Sequence, residues 1–403
     1  MTHKPTTSAT HLKKKKNHLE YLLINIFVFA GIGILSLLVL NISFLNSFKL
    51  AFEDFTLTDI FYNKIQNNPV YNGPVVLVNL EKRNRGEIAD LIHRVEKGKP
   101  KVVGIDSMFP DVRDTMDVKL KEAFEMYPNL VLPYIDYFDE ERQPIKNDPF
   151  FNTSSTAYVN IEGEDPEFST IRNFYSGRDD KISFTGAILE KYDPTIAEKL
   201  LRKKDKRTEI KFYGNLENFR YYNYDEVNDS SFDVNFLKNK IVLIGYLGNT
   251  GVQTKLDEDR FFTPLNPRLS GRSHPDMYGM VIHANILRMA LEDDYVHIAP
   301  KWLNIIIAFV LSLLVLPYFI HLYVHKPVWF HLETMLIQVT MSILFVFLTI
   351  LLYAKANIKV ESSSVLIAVL LLGDFVLIYD SLVRFFKHKL NIKFHSKFFE
   401  GAH

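Results

Sequence analysis

Carboxylates gather at two places in this chain. Asp106 closes the run Val102-Val103-Gly104-Ile105, and Asp111, Asp114 and Asp117 follow it; Asp257 and Asp259 stand just before Thr263-Pro264-Leu265. Clustered carboxylates suit hard cations, but the first group lacks the central Gly and the terminal Glu of a calcium loop. Loop and helix-cap roles are its ordinary reading, and no metal is assigned. In the second group Asp and Thr-Pro are also common turn formers. If the strand ends that carry the two groups are neighbours, however, Asp106, Asp257, Asp259 and Thr263 converge on one small ligand or ion. His283, near the start of a helix, is a further candidate as ligand residue or pH sensor, against the commoner fate of a lone histidine, which is neither. Gly245, Gly248 and Gly251 follow a strand, yet no Gly-Lys-Ser/Thr accompanies them, so they do not read as a phosphate loop. No Ser/His/Asp order or paired-carboxylate setting reads as catalytic. The chain is therefore expected to bind rather than to catalyse, and no cofactor is implied.

The elements that must position these residues are those of an α/β domain. Asn239-Lys240-Ile241-Val242-Leu243-Ile244-Gly245 reads as a strand buried on both faces, the kind found centrally in a parallel sheet. Its C-terminal end opens into a glycine-bearing loop, the edge where open α/β sheets hold ligands. Val75–Leu80 predicts another strand, and Ile88, Leu91, Ile92 and Val95 recur at helical spacing. Lys101–Asp106 is the next strand, which makes a βαβ unit with a parallel pair. A helix near Val118–Met126, a strand near Leu130–Tyr134, a helix over Ile182–Lys191 and a last helix over Met280–Leu291 follow. The central sheet is expected to be largely parallel or mixed.

Composition divides the chain. The 403 residues carry no formal net charge, yet residues 43–300 hold 33 Lys+Arg against 41 Asp+Glu, leaving 14 against 6 for the remainder. The basic remainder flanks long apolar runs, so it reads as membrane topology and not as nucleic-acid affinity. Cysteine is absent, which excludes disulfides, thiolate zinc sites and thiol nucleophiles. Residues 21–42 are long enough to span a bilayer and follow Lys13–Lys16, while 301–320, 332–353 and 364–382 form three further spans. The positive-inside rule then places residues 1–20 and the basic tail 383–403 in the cytoplasm and residues 43–300 outside it, with Trp302, Tyr318, Trp329, Tyr353 and Tyr379 as an interfacial belt. Asn25 and Asn41 lie near the ends of the first span, where water can reach them, and Pro317 is expected to kink or end its helix. Phe44, Phe48, Ala51, Phe52 and Phe55 suggest an amphipathic helix leading out of the membrane, and the tail from Phe385 to Phe399 a segment lying on the inner leaflet. Asp374 interrupts the last span. A carboxylate there costs about 3 kcal/mol on insertion scales, so it is expected either to face a bundle helix or another membrane protein, or to lie toward the inner half of the span protonated or partly hydrated.

The motifs Val75–Leu80, Val102–Asp106 running into Phe109 and Asp114, Lys240–Gly245, Asp257 with Thr263-Pro264-Leu265, and His283-Ala284-Asn285 resemble, in order, the CHASE domain of the second type. The resemblance covers about residues 50–300. It implies an extracytoplasmic sensory module of a prokaryotic inner membrane, held between one N-terminal and three C-terminal helices. Members of the family commonly continue into a cyclase or kinase domain, whereas 21 residues follow Leu382 here. Pro275-Asp276-Met277-Tyr278-Gly279 also departs from the shorter Pro-Gly turn of the family. Two readings follow. In one, the outer domain binds an unidentified extracytoplasmic ligand and signals, as a monomer or a homodimer, through a separately encoded membrane or cytoplasmic partner. In the other, it is a scaffold of the cell envelope that binds another protein. Four helices with one deep ionisable group make a poor transport pathway.

Overall fold

The computed structural model describes residues 7–40, 57–62, 69–137, 142–151, 153, 155–161, 170–249, 259–266, 274–361 and 363–389. The expected amphipathic helix before Asp59 falls largely outside these residues, as do Asn41, Gly251, Asp257 and most of the tail. The chain divides into two units, Thr58–Val296 and a second made of Met1–Leu57 with His297–His403. In chain order the principal elements are α1 (Thr7–Leu40), β1 (Val75–Asn79), α2 (Arg85–Glu96), β2 (Val102–Asp106), α3 (Met116–Met126), β3 (Leu130–Tyr134) and β4 (Thr156–Tyr158). There follow α4 (Phe184–Tyr192), α5 (Pro194–Leu201), β5 (Tyr221–Asn223), β6 (Ile241–Gly245), β7 (Arg260–Phe261), β8 (Met277–Tyr278) and α6 (Gly279–Leu291). The helices α7 (Lys301–His325), α8 (Phe330–Ala356) and α9 (Ser363–Lys389) close the chain.

In the first unit six strands form one parallel sheet in the order β4-β3-β2-β6-β1-β5. β6 takes the centre, because all five of its residues are apolar or glycine and can be buried from both sides. β1 and β2 are parallel, as expected for strands joined by a helix, but they are not hydrogen-bonded neighbours. The crossover through α2 skips one place, and β6 fills it. Alternation along the strands separates two faces. Val76, Val78, Val103, Ile105, Val242 and Ile244 form a core with Ile88, Leu91, Ile92 and Val95 of α2 and Leu120, Ala123 and Phe124 of α3. α2 starts sharply because Asn84 and Glu87 cap each other's backbone N–H groups, at 3.0 and 2.9 Å. The other face carries α4 and α6. α6 is buried at nearly every position, and its polar Asn285 satisfies backbone that would otherwise be orphaned: it accepts the Tyr213 N–H at 2.7 Å and donates to the Gly214 carbonyl at 3.0 Å.

Among the described residues of the second unit four helices are long and apolar enough to cross a membrane: His18–Leu37, Lys301–His325, Phe330–Ala356 and Val365–Lys387. α9 packs against α1, α7 and α8, and Gly31 lets α1 close onto the Phe375 ring. Three expectations change here. Asn25 does not rely on water: it is fully buried, donates to the Phe309 carbonyl at 3.0 Å and accepts from Ser312 Oγ at 2.8 Å. Of the two outcomes expected at Pro317, ending the helix is excluded, because α7 runs on to His325. Trp302, Tyr318 and Trp329 are exposed as a belt requires, whereas Tyr353 and Tyr379 are buried, the latter edge-on to Phe27.

Candidate functional site

The first acidic group closes on itself. Asp117 is fully buried. Its Oδ1 accepts from Arg85 Nη1 at 2.7 Å, and its Oδ2 accepts the backbone N–H groups of Arg113 and Asp114. Arg85 also donates to the Asp111 carbonyl and carboxylate, at 2.6 and 2.9 Å, and its guanidinium lies against the rings of Phe109 and Phe151. Burial would raise the Asp117 pKa, but the Arg113 N–H and the Arg85 guanidinium outweigh it and hold the carboxyl below its ordinary range. The cation of this loop is an arginine, and the carboxylates are caps and ion-pair partners.

Asp106 stands elsewhere. The register sets Asn79, Gly245 and Asp106 side by side at the C-terminal ends of β1, β6 and β2, all on the face that carries α6. Glycine is required in the middle: a Cβ at Gly245 would come within 2.9 Å of Met280 Sδ and 3.0 Å of Asp106 Cβ. Asn79, a residue that sequence reasoning passed over, ties down the loop after β6. It accepts the Leu247 N–H at 2.9 Å and donates to the carbonyl of Gly248, whose φ of 93° suits glycine, at 2.9 Å.

The chain returns to this edge at Asp259, which has a left-handed backbone (φ 61°) and whose carbonyl accepts the first N–H of α6, that of Gly279, at 3.2 Å. Its carboxylate oxygens lie 3.2 and 3.3 Å from where a Gly279 Cβ would stand, at the positive end of the helix. Around it Arg260 donates to the Tyr278 hydroxyl at 2.7 Å and lies over that ring, and Tyr246 meets the same ring edge-on. Burial raises the Asp106 pKa, and repulsion from Asp259 raises it further; burial also raises Asp259, against the Gly279 N–H. Among the described residues the half-buried Asp106 carboxylate has no hydrogen bond or ion pair. The structure thus brings Asp106 together with Asp259, while Asp257 lies outside the described residues.

Thr263 and His283 are placed differently. The Thr263 hydroxyl donates to Asp276 at 2.5 Å and its N–H to the same carboxylate at 2.9 Å, so both serve the turn that leads into β8. Burial lifts Asp276 to about 6 against these bonds. His283 lies one turn into α6, edge-on to Phe184 at 5.3 Å, with Nδ1 lacking any partner among the described residues. Burial pushes its pKa down to about 4. It is therefore neutral across the physiological range, which leaves hydrogen bonding to a ligand, not pH sensing, as the chemistry open to it.

The raised pair has a consequence for stability. The folded head holds protons that the unfolded chain releases above the ordinary carboxylate value of about 4, so stability falls as pH rises through the interval up to the raised values. Asp106→Asn is expected to raise the unfolding temperature at pH 8 by about 2–4 °C, which corresponds to about 1 kcal/mol for a domain of this size after solvent screening. At pH 4 it should change nothing. Circular dichroism melts of the detergent-solubilised chain at the two pH values give the comparison; equal shifts at both would mean that the Asp106 charge is not what strains this edge.

No curated protein and no solved structure matches this chain. The profile of the CHASE2 domain matches residues 34–317, which extends the resemblance beyond its motifs into α1 on one side and α7 on the other. The match takes in the parallel sheet, the Asp106 edge and α6 and covers well over half of the 403 residues, and so the chain belongs to the CHASE2 family of sensory domains.

Proposed function

We propose that residues 43–300 form an extracytoplasmic sensory head that binds a small cationic, hydrogen-bond-donating ligand. Its bound state is passed through the four apolar helices to a separately encoded partner. The observation that carries this reading is the Asp106 carboxylate: half-buried, set beside Asp259, and answered by no cation among the described residues. A protonated amine between the two acids would relieve their repulsion and supply the missing donors. The C-terminal edge of a parallel sheet supports the location, and the aromatic ring of Tyr246 suits an organic cation. The head is a binding module in this reading and not an enzyme. Lys13–Lys16, ahead of the first apolar span, and the basic residues after Leu382 support an outward head with both termini in the cytoplasm.

Calorimetry of the full chain in nanodiscs, titrated with a panel of polyamines, amino acids and divalent cations, tests the proposal. An amine is expected to give heat, with affinity falling about tenfold or more in Asp106→Asn, the worth of one charge-assisted hydrogen bond. Asp111→Asn, in the separate arginine-bound loop, should bind as the wild type does. No heat from any compound, or heat indifferent to Asp106, would overturn the small-ligand reading in favour of a protein-binding scaffold.

A further inference from the structure

Asp374 lies near the middle of α9. The apolar span runs Val365–Lys387, so the carboxylate sits about 13 Å from one end and about 20 Å from the other at the helical rise. A side chain with one methylene cannot reach either interface from there. Its neighbours on the helix are all taken. Gly373 faces Gln338 and Thr334 of α8, Phe375 closes on Gly31 and Phe27 of α1, and Leu372 and Val376 share a core with Leu316, Phe319 and Ile320 of α7. Asp374 is on the remaining side, exposed, in a stripe with Ile367, Leu370, Ile378, Ser381 and Phe385. The spacing of three and four residues makes this one continuous face, and Asp374 is at its centre.

The contrast with the other acid of α9 is instructive. Asp380 is buried, accepts from the Tyr323 hydroxyl at 2.6 Å and pairs with Arg384 at 2.9 Å. Asp374 has no hydrogen bond or ion pair among the described residues. Nor do the described spans carry a lysine or arginine at that depth. The lysines and arginines of the four spans, Lys301, Lys355, Arg384 and Lys387, lie at helix ends, and Arg384 is engaged by Asp380. A second copy of the chain would set carboxylate against carboxylate.

We propose that this stripe of α9 docks a transmembrane helix of a separate protein that carries a lysine or arginine at mid-bilayer depth. The proposal deepens the reading of a separately encoded output partner and rests on it. An Asp–Lys or Asp–Arg pair, flanked by Ile367, Leu370 and Ile378, removes both charges from lipid at once, which neither helix achieves alone. Among the described residues α9 packs against α1, α7 and α8, so a partner held on its outer stripe bears on the bundle through all three.

The test uses the full chain labelled with a donor fluorophore in lipid vesicles, and acceptor-labelled single-pass Leu/Ala peptides with a central Lys, Leu or Glu. The central-Lys peptide is expected to associate about tenfold more tightly than the central-Leu peptide, a difference of about 1.4 kcal/mol. Asp374→Leu should erase the preference and Asp374→Glu should keep it. Asp374→Lys should transfer the preference to the central-Glu peptide, an outcome that a misfolded bundle cannot produce. Equal association of the Lys and Leu peptides with the wild type would overturn the proposal. So would a preference that survives Asp374→Leu, or self-association of labelled chains that Asp374→Leu abolishes, which would make a second copy the occupant. No head ligand enters the assay, so its failure leaves the sensory reading to the calorimetry.

Discussion

Replacing Arg85 with Met is expected to cost the head about 3–5 kcal/mol, the range for removing one partner of a buried ion pair. Methionine keeps much of the packing against Phe109 and Phe151, so the loss isolates the charge. Asp117 has no exposed side-chain surface and would retain only the N–H groups of Arg113 and Asp114. The pH dependence carries the sign. In the wild type the Asp117 pKa is lowered, so its contribution is complete above the ordinary carboxylate value of about 4 and is lost as pH falls below it. In the variant the orphaned carboxyl is relieved by protonation, so the penalty should shrink on acidification. Arg85→Met combined with Asp117→Asn should recover much of the loss at pH 7, because no buried charge remains. Urea denaturation followed by hydrogen exchange of α2 and α3 in the solubilised chain measures both. A single-variant cost under about 1 kcal/mol, the worth of an exposed pair, would show the loop to be solvated. A double variant no better than the single would show that packing, not charge, is at stake.

Asp117 and Asp106 depend on pH in opposite senses. The first stabilises only when ionised, and the second is least costly when protonated. Nothing in the spacing of acids along the chain separates them. The difference arises from Arg85, 32 residues before Asp117, and from Asp259, which approaches Asp106 from the far end of the domain. Local pattern made the elements legible: the β6 run and the buried stripe of Ile88, Leu91, Ile92 and Val95 appear where their periods place them, and four helices among the described residues are long and apolar enough to cross a membrane. Long-range pairing was not legible. The place of β6 between β1 and β2 depends on which strand can be covered on both faces, a property of the whole sheet. The partner of Asn25 lies 284 residues away on α7, and helices apolar all round give no sign of which face turns inward, so Tyr353 and Tyr379 read as a belt although they are buried. At the candidate site the acids were legible as residues, and the turn that selects Asp259 to face Asp106 was not. Asn79 left a faint signal, an amide ending an otherwise apolar strand.

Truncating Leu243 to Ala is expected to destabilise the head by about 2–5 kcal/mol, the range for a fully buried leucine in a core that relaxes only in part. Leu243 is the middle residue of the central strand, in register with Leu77 on one side and Gly104 on the other, and is wholly buried. Gly104 has no room for a methyl group: a Cβ there would stand 2.9 Å from Leu243 Cδ2, 2.9 Å from Phe184 Cζ and 2.6 Å from Ile188 Cδ1. Gly104→Ala alone should therefore cost about 1–3 kcal/mol through overpacking. Together the two changes should partly cancel, since the alanine methyl enters space that the leucine branch has left. A coupling of about 0.5–1 kcal/mol in the stabilising sense is the expected result of the cycle. Additivity would mean that Ile188 and Phe184, not Leu243, hold position 104 to glycine. The cycle also bears on the site, because the Phe184 ring that limits Gly104 is the ring against His283, and Gly104 is two residues before Asp106 on the same face. A cavity at Leu243 is expected to let Phe184 move away from α6, and the amine binding proposed at the Asp106 edge should weaken in Leu243→Ala and recover in the double variant.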